Sequence, residues 1–131
     1  MKLDKNARYA KTHEWARKEE NFYIVGISDH AQESLGDIVF VDLPKPGTQF
    51  KAGEVFGAVE SVKAANDIYL PVSGTISGVN ELLAAAPETV NKDCYGAGWF
   101  VKIEPENLEN IEEFNLLLTP EDYEKTAGAE N

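Results

Sequence analysis

Up to Pro105 the chain is made of short apolar runs broken by Gly, Pro, Asn and Asp, the pattern of strands joined by tight turns. Tyr9 to Ala16 opens the ordered part, with Tyr9 and Trp15 as apolar anchors. Glu19-Glu20-Asn21 marks a turn, and Asn21 to Ile27 has the aromatic and β-branched content of a strand, so a first hairpin is expected. Ser28 or Asp29 starts a short helix, with Gln32 placed three residues after Asp29 as in a capping box. Ala31 and Leu35 give that helix a small apolar face, and Gly36 is its left-handed stop. Asp37 to Leu43 is the most apolar run and reads as a strand buried on both faces. Pro44-Lys45-Pro46-Gly47 ends it, because proline has no ladder N–H.

The pattern sharpens between Gly53 and Gly78. Two strand-like runs, Glu54 to Glu60 and Asp67 to Val72, flank a polar centre from Ser61 to Asn66, predicting a hairpin with Lys63 at or beside its tip. Glycines at 53, 57, 74 and 78 permit close backbone crossings. Leu43-Pro44-x-x-Gly47-Thr48 recurs as Leu70-Pro71-x-x-Gly74-Thr75, each after a strand beginning Asp-Ile. Two similar halves of short strands suit a flattened antiparallel β barrel or sandwich with quasi-twofold character. Further on, Asn91-Lys92-Asp93 reads as a turn and Trp99 to Ile103 as an alternating strand that completes a sheet. Beyond Pro105 the chain turns helical, with Leu108, Ile111, Leu117 and Leu118 as apolar faces. Thr119-Pro120-Glu121-Asp122 starts a last helix, with threonine as cap, proline in the first position and acids at the positive end of the dipole; Tyr123 can anchor it. The expected fold is mainly β, with a short internal helix and C-terminal helices, in one domain over 1–131 whose ends, 1–8 and 126–131, are mobile.

Charge narrows the partners. With 23 acidic against 12 basic residues the net charge is −11. Phosphate backbones and anionic lipid are repelled at long range, which argues against nucleic acid and membrane, while basic enzyme surfaces are favoured. An acidic surface also serves solubility alone. No apolar run approaches the roughly 18–20 residues of a membrane span, and the polar start resembles neither a signal nor a transit peptide. A cytoplasmic monomer is expected, or a mitochondrial matrix protein if the chain is a processed eukaryotic form. Cys94 is the single cysteine, and with only His13 and His30 beside it there is no zinc-like spacing. Cys94 reads as a small residue filling a turn, and His30 as a partly exposed helix residue.

A lysine at a hairpin tip is ordinarily only solvated. Lys63 differs in being held out by two apolar strands, with the short side chains of Val62, Ala64 and Ala65 beside it. The chemistry that suits such a lysine is acylation of its ε-amine by a carboxylate cofactor. The product is a long, flexible, uncharged arm that raises the cofactor's local concentration at each enzyme it visits.

Gly57 through Glu60-Ser61-Val62-Lys63-Ala64-Ala65-Asn66-Asp67, followed by Pro71-Val72-Ser73-Gly74, resembles the lipoylation region of the glycine cleavage system H proteins. So do Tyr9 with Thr12-His13-Glu14-Trp15, Gly26 to Gln32, Leu35 to Val41 with Leu43-Pro44, and then Val79-Asn80-Glu81, Val90-Asn91, Tyr95-Gly96 and Gly98-Trp99 in order. The resemblance covers roughly residues 8 to 125. It implies a lipoyl-type barrel-sandwich hybrid and a shuttle rather than an enzyme, with lipoate attached to Lys63 by a lipoate-attaching enzyme. The arm takes an aminomethyl group from the pyridoxal-phosphate glycine decarboxylase, delivers it to the tetrahydrofolate-dependent aminomethyltransferase, and is reoxidised by the FAD-containing dihydrolipoyl dehydrogenase. It also implies that Thr12, Glu14 and Asp67 hold the loaded arm in a cleft, where carboxylates suit an ammonium group. Thr12 stands where the family has serine, Cys94 where proline is usual and Leu70 where a small polar residue is common.

A biotin carrier would place methionine on both sides of the lysine, but Met1 is the only methionine. A 2-oxo acid dehydrogenase lipoyl domain would show Asp-Lys-Ala, where this chain has Val62-Lys63-Ala64. An H-like protein that relays lipoate to other enzymes fits the same residues.

Overall fold

The computed structural model describes residues 1–106 and 112–129. Among these, nine strands form two antiparallel sheets. The larger runs in the order β1 (Ala7–Tyr9), β2 (Glu14–Lys18), β3 (Tyr23–Ile27), β9 (Val101–Glu104), β8 (Gly74–Val79) and β5 (Gln49–Phe50); the smaller is β4 (Ile38–Asp42), β6 (Val55–Ser61) and β7 (Ala65–Tyr69). Five short helices fill the connections and the C-terminal end: α1 (Asp29–Leu35), α2 (Leu82–Ala85), α3 (Thr89–Lys92), α4 (Glu112–Leu116) and α5 (Pro120–Ala129).

The main core lies between the sheets and includes Ala16, Val25, Val59, Ile76, Phe100 and Val101, all fully buried. Side chains alternate across a strand, so β2 uses both faces. Ala16 enters the main core, while Trp15 joins Tyr9, Ala7, Tyr123 and Ala127 in a second cluster under α5. The Trp15 indole N–H donates to the carbonyls of Ile27 (3.0 Å) and Cys94 (3.2 Å). Glu14 shares the face of Ala16, which sends a carboxylate to the inner side of the sheet.

The expected hairpins form. β2 and β3 pair through a turn in which Glu19 N–H donates to Phe22 O, and β6 pairs with β7 over Val55–Tyr69 to Glu60–Ala65. The N-cap of α1 is Ser28, whose hydroxyl accepts from Ala31 N–H; Gln32 instead donates to the Asp29 carboxylate, and Gly36 (φ +78°) ends the helix. The two copies of the Leu-Pro-x-x-Gly-Thr motif lie against each other. Gly47 N–H donates to Ile76 O, Ile76 N–H to Thr48 O, and Gln49–Phe50 pairs with Gly74–Thr75. Close approach is real at two of the four glycines. A Cβ at Gly57 would strike the Asp42 carbonyl oxygen, and one at Gly74 would lie 2.5 Å from that of Glu104. Around Gly53 there is open space, and Gly78 has only ordinary contacts.

Four expectations are corrected. β4 is not buried on both faces: Ile38 and Val41 are inside, but Val39 and Phe40 are 53% and 52% exposed. β4 is an edge strand with one wet face, and an irregularity between Ile38 and Phe40 turns two successive apolar residues outward. Asn91-Lys92 ends a helical turn, α3, rather than forming a loop. Leu117 and Leu118 are not on a helix. α4 stops at Leu116, Leu117 packs on the main core, and Leu118 pairs with Tyr9 through reciprocal backbone bonds of 2.9 and 2.8 Å. Ala7–Tyr9 is a strand on the outer edge of β2, which the polar start of the chain did not announce. Leu108 and Ile111 lie outside the described residues.

Gly57→Ala should lower stability by about 1–3 kcal/mol, the usual range for overpacking, because its methyl group meets backbone rather than a mobile side chain. Urea unfolding measures this; Gly53→Ser, strained in φ but unobstructed, gives the comparison for a purely conformational effect.

Candidate functional site

Lys63 stands exposed between β6 and β7. Its backbone is fixed although its side chain is free. Ser61 Oγ accepts from Lys63 N–H and Ala64 N–H, both at 3.2 Å, while Ser61 N–H donates to Ala64 O at 2.8 Å. This is the local hydroxyl turn that serine favours. Val62 N–H donates to Asp37 O (3.1 Å), tying the tip to the start of β4. The lysine stem runs past Gly36, where a Cβ would lie 3.4 Å from Lys63 Cε.

Beside the hairpin a cleft of about 560 Å³ opens between β7 and the loop that links β1 to β2. Lys11, Thr12, His13 and Glu14 form one wall, and Ala65 to Tyr69 the other. Ile27, Leu35 and Val59 add apolar surface, and Leu35 adjoins the Gly36 corner that the lysine stem passes. Thr12, Glu14 and Asp67, set apart in the sequence, thus line one cleft. Asp67 is exposed on β7, opposite Ala58 of β6.

Glu14 has lost its water. Only 2% of it is exposed. Thr12 Oγ1 donates a short hydrogen bond to Glu14 Oε1, and Tyr69 N–H donates to Oε2 at 3.0 Å, so the carboxylate bridges β2 in one sheet and β7 in the other. Burial pushes its pKa up to about 7, although both hydrogen bonds favour the charged form. Near neutral pH the group is therefore divided between acid and carboxylate, and an arriving cation would tip it to the charged form.

The residue between Thr12 and Glu14 has unusual backbone geometry. His13 takes φ +84°, the left-handed region, which costs a non-glycine residue of the order of 1–3 kcal/mol unless its surroundings hold it there. Its ring lies 4.9 Å from that of His30, which is partly exposed on α1 as expected. Lys11, His13, Gly36 and the Tyr69 N–H were missed in the sequence. Only the polar residue at an inward position of β2 signalled that this end of the sheet was special. Cys94 is buried in its turn and its thiol pushed up to about 12, mainly by burial, which leaves it protonated at neutral pH. No helix among the described residues is long and apolar enough to cross a membrane.

Two antiparallel sheets presenting a lysine on a rigid hairpin beside a part-apolar, acid-lined cleft define a lipoyl-type carrier domain. The glycine cleavage H-protein family model matches residues 7–130. The chain is 51% identical over 123 residues to the glycine cleavage system H protein of Carboxydothermus hydrogenoformans, covering 94% of this chain and 92% of that protein. It is 55% identical over 106 residues to that of Teredinibacter turnerae, covering 80% and 82%. The crystal structure of the H protein from Mycobacterium marinum superposes with a TM-score of 0.87 at 36% identity, covering 96% of this chain and 99% of that one. The chain belongs to the glycine cleavage H-protein family, whose members carry lipoate, and its role is that of a lipoyl carrier in the glycine cleavage system.

The raised pKa of Glu14 has a definite sign. Its folded value, about 7, lies above the ordinary 4.5, so the folded state binds the extra proton. The stabilisation is complete below about pH 4.5, declines as pH rises, and is lost above about 7. Glu14→Gln should remove that component. The stability difference between wild type and variant should shift by about 3 kcal/mol across this window, read from urea unfolding at several pH values; a difference that does not vary with pH would contradict the buried carboxyl.

Proposed function

We propose that Lys63 is the lipoylated residue and that the cleft holds the loaded arm. The observation that carries this reading is the amine standing free on a tip whose backbone is fixed, next to a cleft that combines apolar walls with a buried carboxyl. The residues fit the group. Ile27, Leu35, Val59 and Ile68 suit an aliphatic chain, and Glu14 and Asp67 suit a cationic end. When bound, lipoate supplies a disulfide–dithiol pair on a long arm, the chemistry needed to carry an aminomethyl cargo and two electrons.

The chain's own residues do the rest. Lys63 anchors the arm and loses its charge on acylation. Glu14 gives its proton up to become the carboxylate partner of the cargo's ammonium group, with Thr12 and the Tyr69 N–H sharing the negative charge. Asp67 adds a second carboxylate from the opposite wall. The half-enclosed cleft limits the access of water to the cargo. In this reading the chain is a monomeric, non-catalytic carrier. It serves glycine decarboxylase, aminomethyltransferase and dihydrolipoyl dehydrogenase after a lipoate-attaching enzyme has modified it, in the cytoplasm or, for a processed eukaryotic form, the mitochondrial matrix. The net charge of −11 favours basic docking faces on those partners.

Expression in a lipoylation-competent cell should add one lipoyl group, located at Lys63 by intact-mass spectrometry and peptide mapping. Lys63→Arg should abolish both the added mass and support of glycine decarboxylation, whereas modification at another lysine would sink the assignment. Glu14→Ala should speed release of the bound aminomethyl cargo several-fold, measured as loss of labelled one-carbon unit over time; an unchanged half-life would remove Glu14 from the cleft's function.

A further inference from the structure

The Thr12–Glu14 pair depends on Tyr123, which does not line the cleft. Thr12 and Glu14 are two apart, and in an extended strand their side chains would run side by side without converging. They meet in a hydrogen bond because His13, between them, is turned into the left-handed region at φ +84°. Whatever holds His13 therefore sets the direction of the carboxyl. Part of the hold is backbone: His13 N–H donates to Ala10 O (3.0 Å) and Ser28 N–H donates to His13 O (2.9 Å). Another part comes from the far end of the chain. The His13 Nδ1 and the Tyr123 hydroxyl are 2.7 Å apart, and that same hydroxyl lies 2.6 Å from Ser28 Oγ.

We propose that Tyr123 is a positioning residue of the cleft, its hydroxyl joining His13 to the helix cap at Ser28 so that Thr12 and Glu14 face the arm. This rests on the reading of the cleft given above. Tyr123 is suited to the task. It is fully buried, and its ring stacks on Tyr9 at 4.4 Å with planes 9° apart, so the hydroxyl has little freedom to leave. Ser28 is equally fixed, because its oxygen also accepts from Ala31 N–H as the cap of α1. The hydroxyl can donate to either His13 or Ser28 and accept from the other, so these two contacts are compatible. Helix α5 thereby becomes part of the site without lining it.

Tyr123→Phe keeps the stacked ring and removes only the oxygen. The test begins with the lipoate-free protein, where the Glu14 carboxyl is titrated by carbon NMR. In the variant its midpoint should fall from near 7 toward the ordinary carboxylate range, as the loop relaxes and water reaches the group. Thr126→Val, which removes a hydroxyl bonded to Asp122 O on the same helix, should leave the midpoint unchanged even if it lowers the melting temperature. In the lipoylated protein Tyr123→Phe should shorten the half-life of the bound cargo several-fold, with the extent of lipoylation at Lys63 unaltered. A wild-type Glu14 titration in Tyr123→Phe, or an equal shift in Thr126→Val, overturns the proposal. If Tyr123→Phe moves the titration while Glu14→Ala leaves the cargo's half-life unchanged, the positioning stands and the reading of the cleft as a resting site fails instead.

Discussion

The cleft is organised by one carboxyl group taken out of water. Glu14 occupies an inward position of β2 beside the fully buried Ala16, and the fold tolerates it because two donors from different parts of the chain meet its oxygens. One donor is the Thr12 hydroxyl, brought close by the reversed backbone at His13. The other is the Tyr69 N–H of β7, so the same group also joins the two sheets. A carboxyl left in this place without those bonds would be costly, and the same carboxyl in water would meet a cation only weakly.

A second feature is the division of labour between the hairpin and the cleft. The hairpin gains rigidity from its own short-range bonds at Ser61 and from the Val62–Asp37 contact, so the lysine is presented rather than packed. The cleft takes its shape from long-range packing between β2, β7, α1 and, at one remove, α5. In the proposed reading, an arm leaves and returns without disturbing either part. That matters for a carrier, which has to be handled by several enzymes in turn and keep its cargo between them.

The hairpin was legible in the sequence because its information is local. Strand composition on both sides, a polar centre and small neighbours placed Lys63 at a tip with no knowledge of the remaining structure. The alternation of Glu14, Trp15 and Ala16 was also present, although its meaning depended on knowing that both faces of β2 are covered. Val39 and Phe40 show the opposite case. Their apolar character suggested burial, but exposure depends on β4 being an edge strand with an irregular register, a fact of sheet order rather than composition. Leu116, Leu117 and Leu118 diverge for a similar reason: the first is exposed, the second packs on the main core and the third joins the second cluster.

By itself the sequence determined the mainly β class, the lysine hairpin, the presence and stop of α1, the acidic character of the surface and, through resemblance, the family. Each is a property of a residue and its near neighbours, or of a total over the chain. That Thr12, Glu14 and Asp67 share a cleft came only through the resemblance; the tertiary structure alone decided that Glu14 is buried rather than a surface charge, and that Tyr123 reaches His13 and Ser28 from the other end of the chain. Burial and proton affinity depend on what packs around a group. For Glu14 that surrounding is assembled from segments 55 positions apart, and for His13 from segments 110 apart, separations over which local pattern carries no signal.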